Sequence, residues 1–148
     1  FEASGDNPKP VVLHSTRVGM DLYDRGYEES VVVAGFLHDL VEDTAVTADE
    51  IRSRFGMEVA EIVEAASFDP SIDDDNCFAL GRPAVLVKAA DILDNSDYYG
   101  LAGSEELKQK LLTKMEYFIE ESAPYIGDEA IHGELAAKLP TVRERING

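Results

Sequence analysis

The sequence is short of cysteine, of basic residues and of long apolar runs, and each shortage excludes something. Cys77 is the only cysteine, so no intramolecular disulfide can form and a reducing cytoplasm is the expected location. Only 13 Lys and Arg stand against 30 Asp and Glu, a net charge of −17. With no basic run, a nucleic-acid backbone is not expected as a ligand, because binding of that kind rests on clustered Lys and Arg. No apolar stretch approaches the ~18–20 residues that cross a bilayer, so no membrane partner is expected either. The chain opens at Phe1 with neither a methionine nor a signal-like apolar segment, and reads as trimmed rather than targeted.

What is present describes an ordinary globular protein. The 148 residues are 45% apolar and 29% charged, enough for one domain over residues 1–148 with a single core. Most of the acids are expected to form a solvated, self-repelling surface. Carboxylates are also the ligands of divalent metals, so the acidity leaves a metal site open.

The periodicity predicts consecutive helices and an all-α fold. A first helix is expected from about Pro10 to Arg25, with Pro10 in its first position, Gly26 as its stop, and Val11, His14, Val18 and Leu22 on one stripe. A second, apolar all round and therefore central, is expected from about Glu28 to Asp43. Thr47 and Glu50 form a capping box for a third that ends near Gly56, and Val59, Ile62, Val63 and Ala66 mark a fourth. Residues 68–76 read as an exposed loop. Further helices are expected from about Pro83 to Tyr98, from Ser104 to just before Pro124, and after an Asp128 cap, with a short turn beyond Pro140.

A few polar residues sit where an apolar core would not want them. His38-Asp39 ends the second helix's apolar run and Glu42-Asp43 follows one turn later. At 100° per residue these four fall within an arc of about 140°. On the later helix Lys88, Asp91 and Asn95 share an arc of about 60°, and Asp91 lies within an apolar segment. Singly, each has a plain explanation. Glu42 and Asp43 could be a solvated helix end, Lys88–Asp91 an ion pair worth tenths of a kcal/mol, and His14 a core histidine bonded to a carbonyl. His132 is expected on a polar surface face, and Cys77 is assigned no chemistry. Together, however, His14, His38, Asp39 and Asp91 come from three helices turned toward one core. Two imidazoles and two carboxylates suit Mn²⁺, Fe²⁺ or Zn²⁺ better than Mg²⁺ or Ca²⁺, and four ligands leave positions for water and substrate.

The order His … His-Asp … Asp resembles the signature of HD-domain metal-dependent phosphohydrolases. His38-Asp39-Leu40-Val41-Glu42-Asp43-Thr44 is similar to the HDxxEDT motif of the (p)ppGpp hydrolase domains of the RelA/SpoT type and their small stand-alone relatives. Phe55-Gly56-Met57-Glu58-Val59-Ala60 matches the FGxxVA of that group, and the segment from Val87 to Asn95 is similar to its VKxADRLHN element. The resemblance spans about residues 4–100. It implies a compact HD-domain helical bundle holding one metal, commonly Mn²⁺, on His14, His38, Asp39 and Asp91. It further implies that Glu42 and Asp43 position and activate the attacking water, and that Asn95 contacts the nucleotide. Lys88 is read as a brace for the site. The chain departs from the pattern at Ile92 and Asp94, where the family has Arg and His. It also lacks the basic residues expected before the first His, with only Lys9 nearby.

The expected function is a metal-dependent phosphohydrolase acting on a small nucleotide phosphoester, with guanosine 3′-diphosphate compounds as the first substrates to test. The alternative is an idle HD module that keeps its metal and binds or senses a nucleotide without turnover.

Overall fold

The first helix, α1 (Val11–Asp24), turns His14, Val18, Gly19 and Leu22 inward, as its stripe predicts. The computed structural model describes residues 10–67 and 76–148. Among these it contains nine α-helices, one 3-10 helix and no strand. After α1 come α2 (Glu29–Leu37), α3 (Leu40–Asp43), α4 (Ala48–Phe55), α5 (Met57–Ala66), α6 (Asn76–Leu80) and α7 (Arg82–Asn95). The 3-10 helix (Ser96–Leu101), α8 (Glu105–Ile126) and α9 (Ala130–Asn147) complete the chain. None of these helices is long and apolar enough to cross a membrane.

The most enclosed element is α7. Ala84, Val85, Leu86, Val87, Ala89, Ala90 and Ile92 are all buried, and α1, α2, α5, α6, α8 and α9 pack around it. An acid on such a helix, Asp91, is therefore held in the core whatever it costs. Two glycines then bring α1 and α2 close together. A Cβ added to Gly19 would lie 2.4 Å from the Phe36 ring, and one on Gly35 would lie 2.6 Å from Leu22 Cδ1. This close approach lets a histidine on α1 meet one at the end of α2. Gly19→Ala is expected to destabilise the protein by about 1–3 kcal/mol through overpacking, against a helix-propensity gain of at most about 1 kcal/mol. Denaturant unfolding checks the sign, and a net gain in stability would show that Phe36 moves aside freely.

Several boundaries differ from expectation, each for a local reason. Pro10 is the N-cap of α1 and lies just outside it. The long second helix is interrupted at His38-Asp39, leaving α2 and the single turn α3. There the His38 ring turns back on Gly35 O, 2.7 Å from its Nδ1, and Asp39 relaxes to φ −93°, ψ −5°. Thr47 caps α4 as predicted, its hydroxyl accepting from the Glu50 amide, and Gly56 ends it at φ +96°. The expected loop lies mostly outside the described residues, and Cys77 is buried in α6. Residues 96–98, expected to be α-helical, belong to the 3-10 helix.

Helix α8 continues through Pro124 to Ile126, and α9 starts after Glu129, not Asp128, and runs through Pro140 to Asn147. A proline inside a helix costs about 3 kcal/mol. Beyond Pro140, however, Val142 and Ile146 are buried at about 1.5–3 kcal/mol each, which offsets that cost. Expecting the helix to stop at proline weighed a local penalty without the burial on its far side. His132 is half-buried, its Nε2 2.9 Å from Ile119 O, and so ties α9 to α8. It is not the plain surface residue its helix face suggested.

Candidate metal centre

His14 comes from α1, His38 and Asp39 from the break between α2 and α3, and Asp91 from the enclosed α7. All four are buried, at 0, 1, 5 and 6% exposure respectively. Their ligand atoms all lie within 4.8 Å of one another. His14 Nε2 is 2.9 Å from Asp91 Oδ1, 3.4 Å from Asp39 Oδ2 and 3.3 Å from His38 Nε2. His38 Nε2 is 3.2 Å from both Asp39 Oδ1 and Asp91 Oδ1. Ligand atoms bonded to one first-row ion at about 2.0–2.2 Å stand about 3 Å apart, the spacing seen here.

The outer nitrogens establish what the inner ones can do. His14 Nδ1 lies 2.6 Å from Asp94 Oδ2, and His38 Nδ1 lies 2.7 Å from Gly35 O. Carboxylate and carbonyl oxygens only accept, so each Nδ1 carries a hydrogen, and in the neutral ring each Nε2 is left to present a lone pair to a cation. Two carboxylates buried side by side need a positive charge between them. The donor set therefore fits a divalent metal.

Asp91 is held by its own helix. Asn95 Nδ2 donates to Asp91 Oδ1 at 2.8 Å, and Lys88 Nζ is 3.5 Å from Asp91 Oδ2. Burial works to raise the Asp91 pKa, but the Lys88 charge and the adjoining His14 and His38 rings carry it well below the usual range. Asn95 Oδ1 is buried and has no hydrogen-bond partner among the described residues. Among the predicted water-activating pair, Asp43 is exposed at the end of α3 and stands outside the four-residue cluster. The side chain of Glu42 lies outside the described part of the structure.

The sequence reading missed Asp94 as a partner of His14. Its place three residues after Asp91 put it on the same side of α7, but nothing local pairs it with a histidine 80 positions earlier.

Without a metal, a proton must hold the carboxylates together. Burial pulls the His38 pKa down, yet its hydrogen bonds to Asp39 and Asp91, with their charges, outweigh this and raise it to about 10. A folded pKa above the ordinary ~6.5 means the proton stabilises the fold fully below pH ~6.5. That contribution is lost as pH rises through about 10. Metal-free protein should therefore melt at steadily lower temperature from about pH 7 to 10, and saturating Mn²⁺ should flatten the decline because the ion displaces the proton. Thermal unfolding with and without chelator checks this. A flat profile in chelator would show that the proton contributes nothing.

The sequence model described as "HD domain" matches residues 2–69, the stretch that supplies His14, His38 and Asp39. Over part of its length the chain is similar in sequence to ppGpp hydrolases of the SpoT/RelA type. It is 41% identical over 59 residues to a probable guanosine-3′,5′-bis(diphosphate) 3′-pyrophosphohydrolase of Synechocystis sp., covering 40% of this chain and 8% of that protein. Over 67 residues it is 42% identical to a probable chloroplastic GTP diphosphokinase of Arabidopsis thaliana, covering 45% and 9% respectively. The chain thus spans less than a tenth of these relatives. A solved metazoan ortholog of SpoT that hydrolyzes ppGpp superposes with a TM-score of 0.70 at 22% identity, over 95% of this chain and 85% of that one. A solved protein from Listeria monocytogenes gives 0.71 at 24%, over 94% and 99%. At those identities the two structures bear on the fold alone.

Proposed function

We propose that this chain is a metal-dependent phosphohydrolase acting on a nucleotide phosphoester, with the 3′-pyrophosphate of guanosine tetra- or pentaphosphate as the group to test first. One observation carries the reading: two Nε2 lone pairs and two carboxylates converge in a single buried cluster. His14, His38, Asp39 and Asp91 would hold one divalent ion; the mixed N/O set suits Mn²⁺, Fe²⁺ or Zn²⁺, and the family resemblance favours Mn²⁺. Such an ion, when bound, lowers the pKa of water toward neutrality and neutralises charge on phosphoryl oxygens.

The remaining work falls to the chain. Lys88 and Asn95 hold Asp91 ionised and oriented. Glu42 and Asp43, one turn beyond His38-Asp39, are assigned to accept the proton of the attacking water. The exposure of Asp43 suits a group that passes a proton to solvent. Asn95 has an acceptor to spare, since its Oδ1 is buried without a partner among the described residues. A nucleotide hydroxyl or N–H would satisfy it.

Two relatives support this substrate class: the Synechocystis protein is named a probable guanosine-3′,5′-bis(diphosphate) 3′-pyrophosphohydrolase, and the Aquifex aeolicus protein carries the same name without that qualifier. The test is a nucleotide panel, alarmones and nucleoside monophosphates included, with Mn²⁺ added and phosphate and pyrophosphate resolved. Release of either product that stops with chelator supports the reading, and no release from any nucleotide by metal-loaded protein overturns it.

One observation favours a second reading, a metal-loaded module that binds a nucleotide without turnover. Ile92, where the resembled motif has Arg, is buried in the core, and Asp94, where it has His, is engaged with His14 and Arg17. Neither supplies a cation to a polyphosphate. Nucleotide affinity without product release would select this reading.

A further inference from the structure

Asp94 makes more contact with the cluster than a surface acid one turn from Asp91 needs to. Its Oδ2 accepts from His14 Nδ1 at 2.6 Å, while its Oδ1 accepts from Arg17 Nε at 2.7 Å. Arg17 Nη2 reaches Asp94 Oδ2 at 3.3 Å and the Tyr98 hydroxyl at 2.8 Å. The Asp94 side chain is only 14% exposed and the His14 side chain not at all. A fork of this kind leaves the carboxylate one orientation, and that orientation fixes the plane of the imidazole in front of it.

We infer that Asp94 is a positioning residue of the metal centre, acting through His14, and that Arg17 holds it in place. The inference rests on reading the His/Asp cluster as a metal site. The chemistry is that of a carboxylate behind a ligating histidine: it fixes the tautomer with Nδ1–H outward, aims the Nε2 lone pair, and makes that nitrogen a stronger donor. The resembled motif has histidine at this position, so the aspartate is a feature of this chain's own site. Ile92, the other departure from the motif, is buried in the core and takes no part in the fork. Arg17 is one turn beyond His14 on α1, so ligand and brace arrive on the same helix. The three residues link α1, α7 and the 3-10 helix behind the metal face.

The test is Mn²⁺ affinity by calorimetry at fixed pH on wild type, Asp94→Ala, Asp94→Asn and Tyr98→Phe, with the visible absorption of the Co²⁺-loaded forms as a second readout. Circular dichroism of the metal-free forms establishes that each is folded. Asp94→Ala should weaken Mn²⁺ by about 10- to 100-fold, the usual effect of removing such a partner, and should shift the Co²⁺ bands. Asp94→Asn keeps an acceptor for Nδ1–H without the charge, so a loss of about three- to tenfold is expected, intermediate between wild type and Ala. Tyr98→Phe removes only a hydrogen bond on the far side of Arg17, whose two bonds to Asp94 remain, and should leave affinity within about twofold and the Co²⁺ bands in place. If Asp94→Ala does not fold, Asp94→Asn carries the comparison against Tyr98→Phe. Binding as tight as wild type in either Asp94 variant overturns the inference while the metal site stands. Failure of wild type to bind Mn²⁺ or Co²⁺ removes the metal site itself, and the inference with it.

Discussion

Replacing Glu42 by glutamine is expected to lower turnover by about two to four orders of magnitude, the usual worth of a positioned general base, while metal content and nucleotide affinity persist. Glu42 lies in the turn α3 that follows His38-Asp39. That places it beside the metal cluster along the chain, while the four-residue cluster is complete without it. Glutamine keeps the length and the hydrogen-bonding reach and removes only the charge that could accept a proton. A solvated helix end would behave differently: the change would cost less than about 0.5 kcal/mol of stability and leave turnover alone. Bound metal, substrate affinity and turnover measured on this one variant separate the cases. Unchanged turnover on a confirmed substrate removes Glu42 from the mechanism, and loss of the metal makes it a ligand instead.

The Asp39→Ala variant should lose both its metal and its response to metal. Asp39 supplies one of only two carboxylates in the cluster, its two oxygens lying 3.2 Å from His38 Nε2 and 3.4 Å from His14 Nε2. With one acid gone, the remaining set is two neutral imidazoles and Asp91, and the attraction for a divalent ion falls accordingly. Wild type at about 100 times its Kd in metal gains about 2.7 kcal/mol by mass action. The melting temperature of the variant should therefore no longer rise when Mn²⁺ is added. Full metal occupancy by elemental analysis would show that Asp39 is not a ligand.

How much of this was legible in the sequence varied from residue to residue. The stripe through His14, Val18 and Leu22 is local, and it placed His14 correctly at the core without any knowledge of what it would meet. The Thr47 cap and the stop at Gly56 were equally local, and both hold. At His38-Asp39 the same arithmetic failed in detail. A continuous helix spreads residues 38, 39, 42 and 43 over one side, but the structure breaks there, burying His38 and Asp39 and leaving Asp43 exposed. At Pro140 it failed because the burial of Val142 and Ile146 that keeps the helix going is set by helices elsewhere in the chain.

The amino-acid sequence by itself determined the all-α class, since hydrophobic period and capping are properties of neighbouring residues. It also determined the His/Asp composition of the candidate site, because metal chemistry is selective for side-chain type. Only the tertiary structure decided which nitrogen of each histidine faces inward, that Asp94 stands behind His14 where the resembled motif has another histidine, and that Asn95 serves Asp91 with its amide while its carbonyl oxygen has no partner among the described residues. Those facts depend on pairs such as His14 and Asp94, 80 positions apart. Their meeting depends on the close approach of α1 and α2 at Gly19 and Gly35 and on the burial of α7, and neither is encoded at the positions that meet.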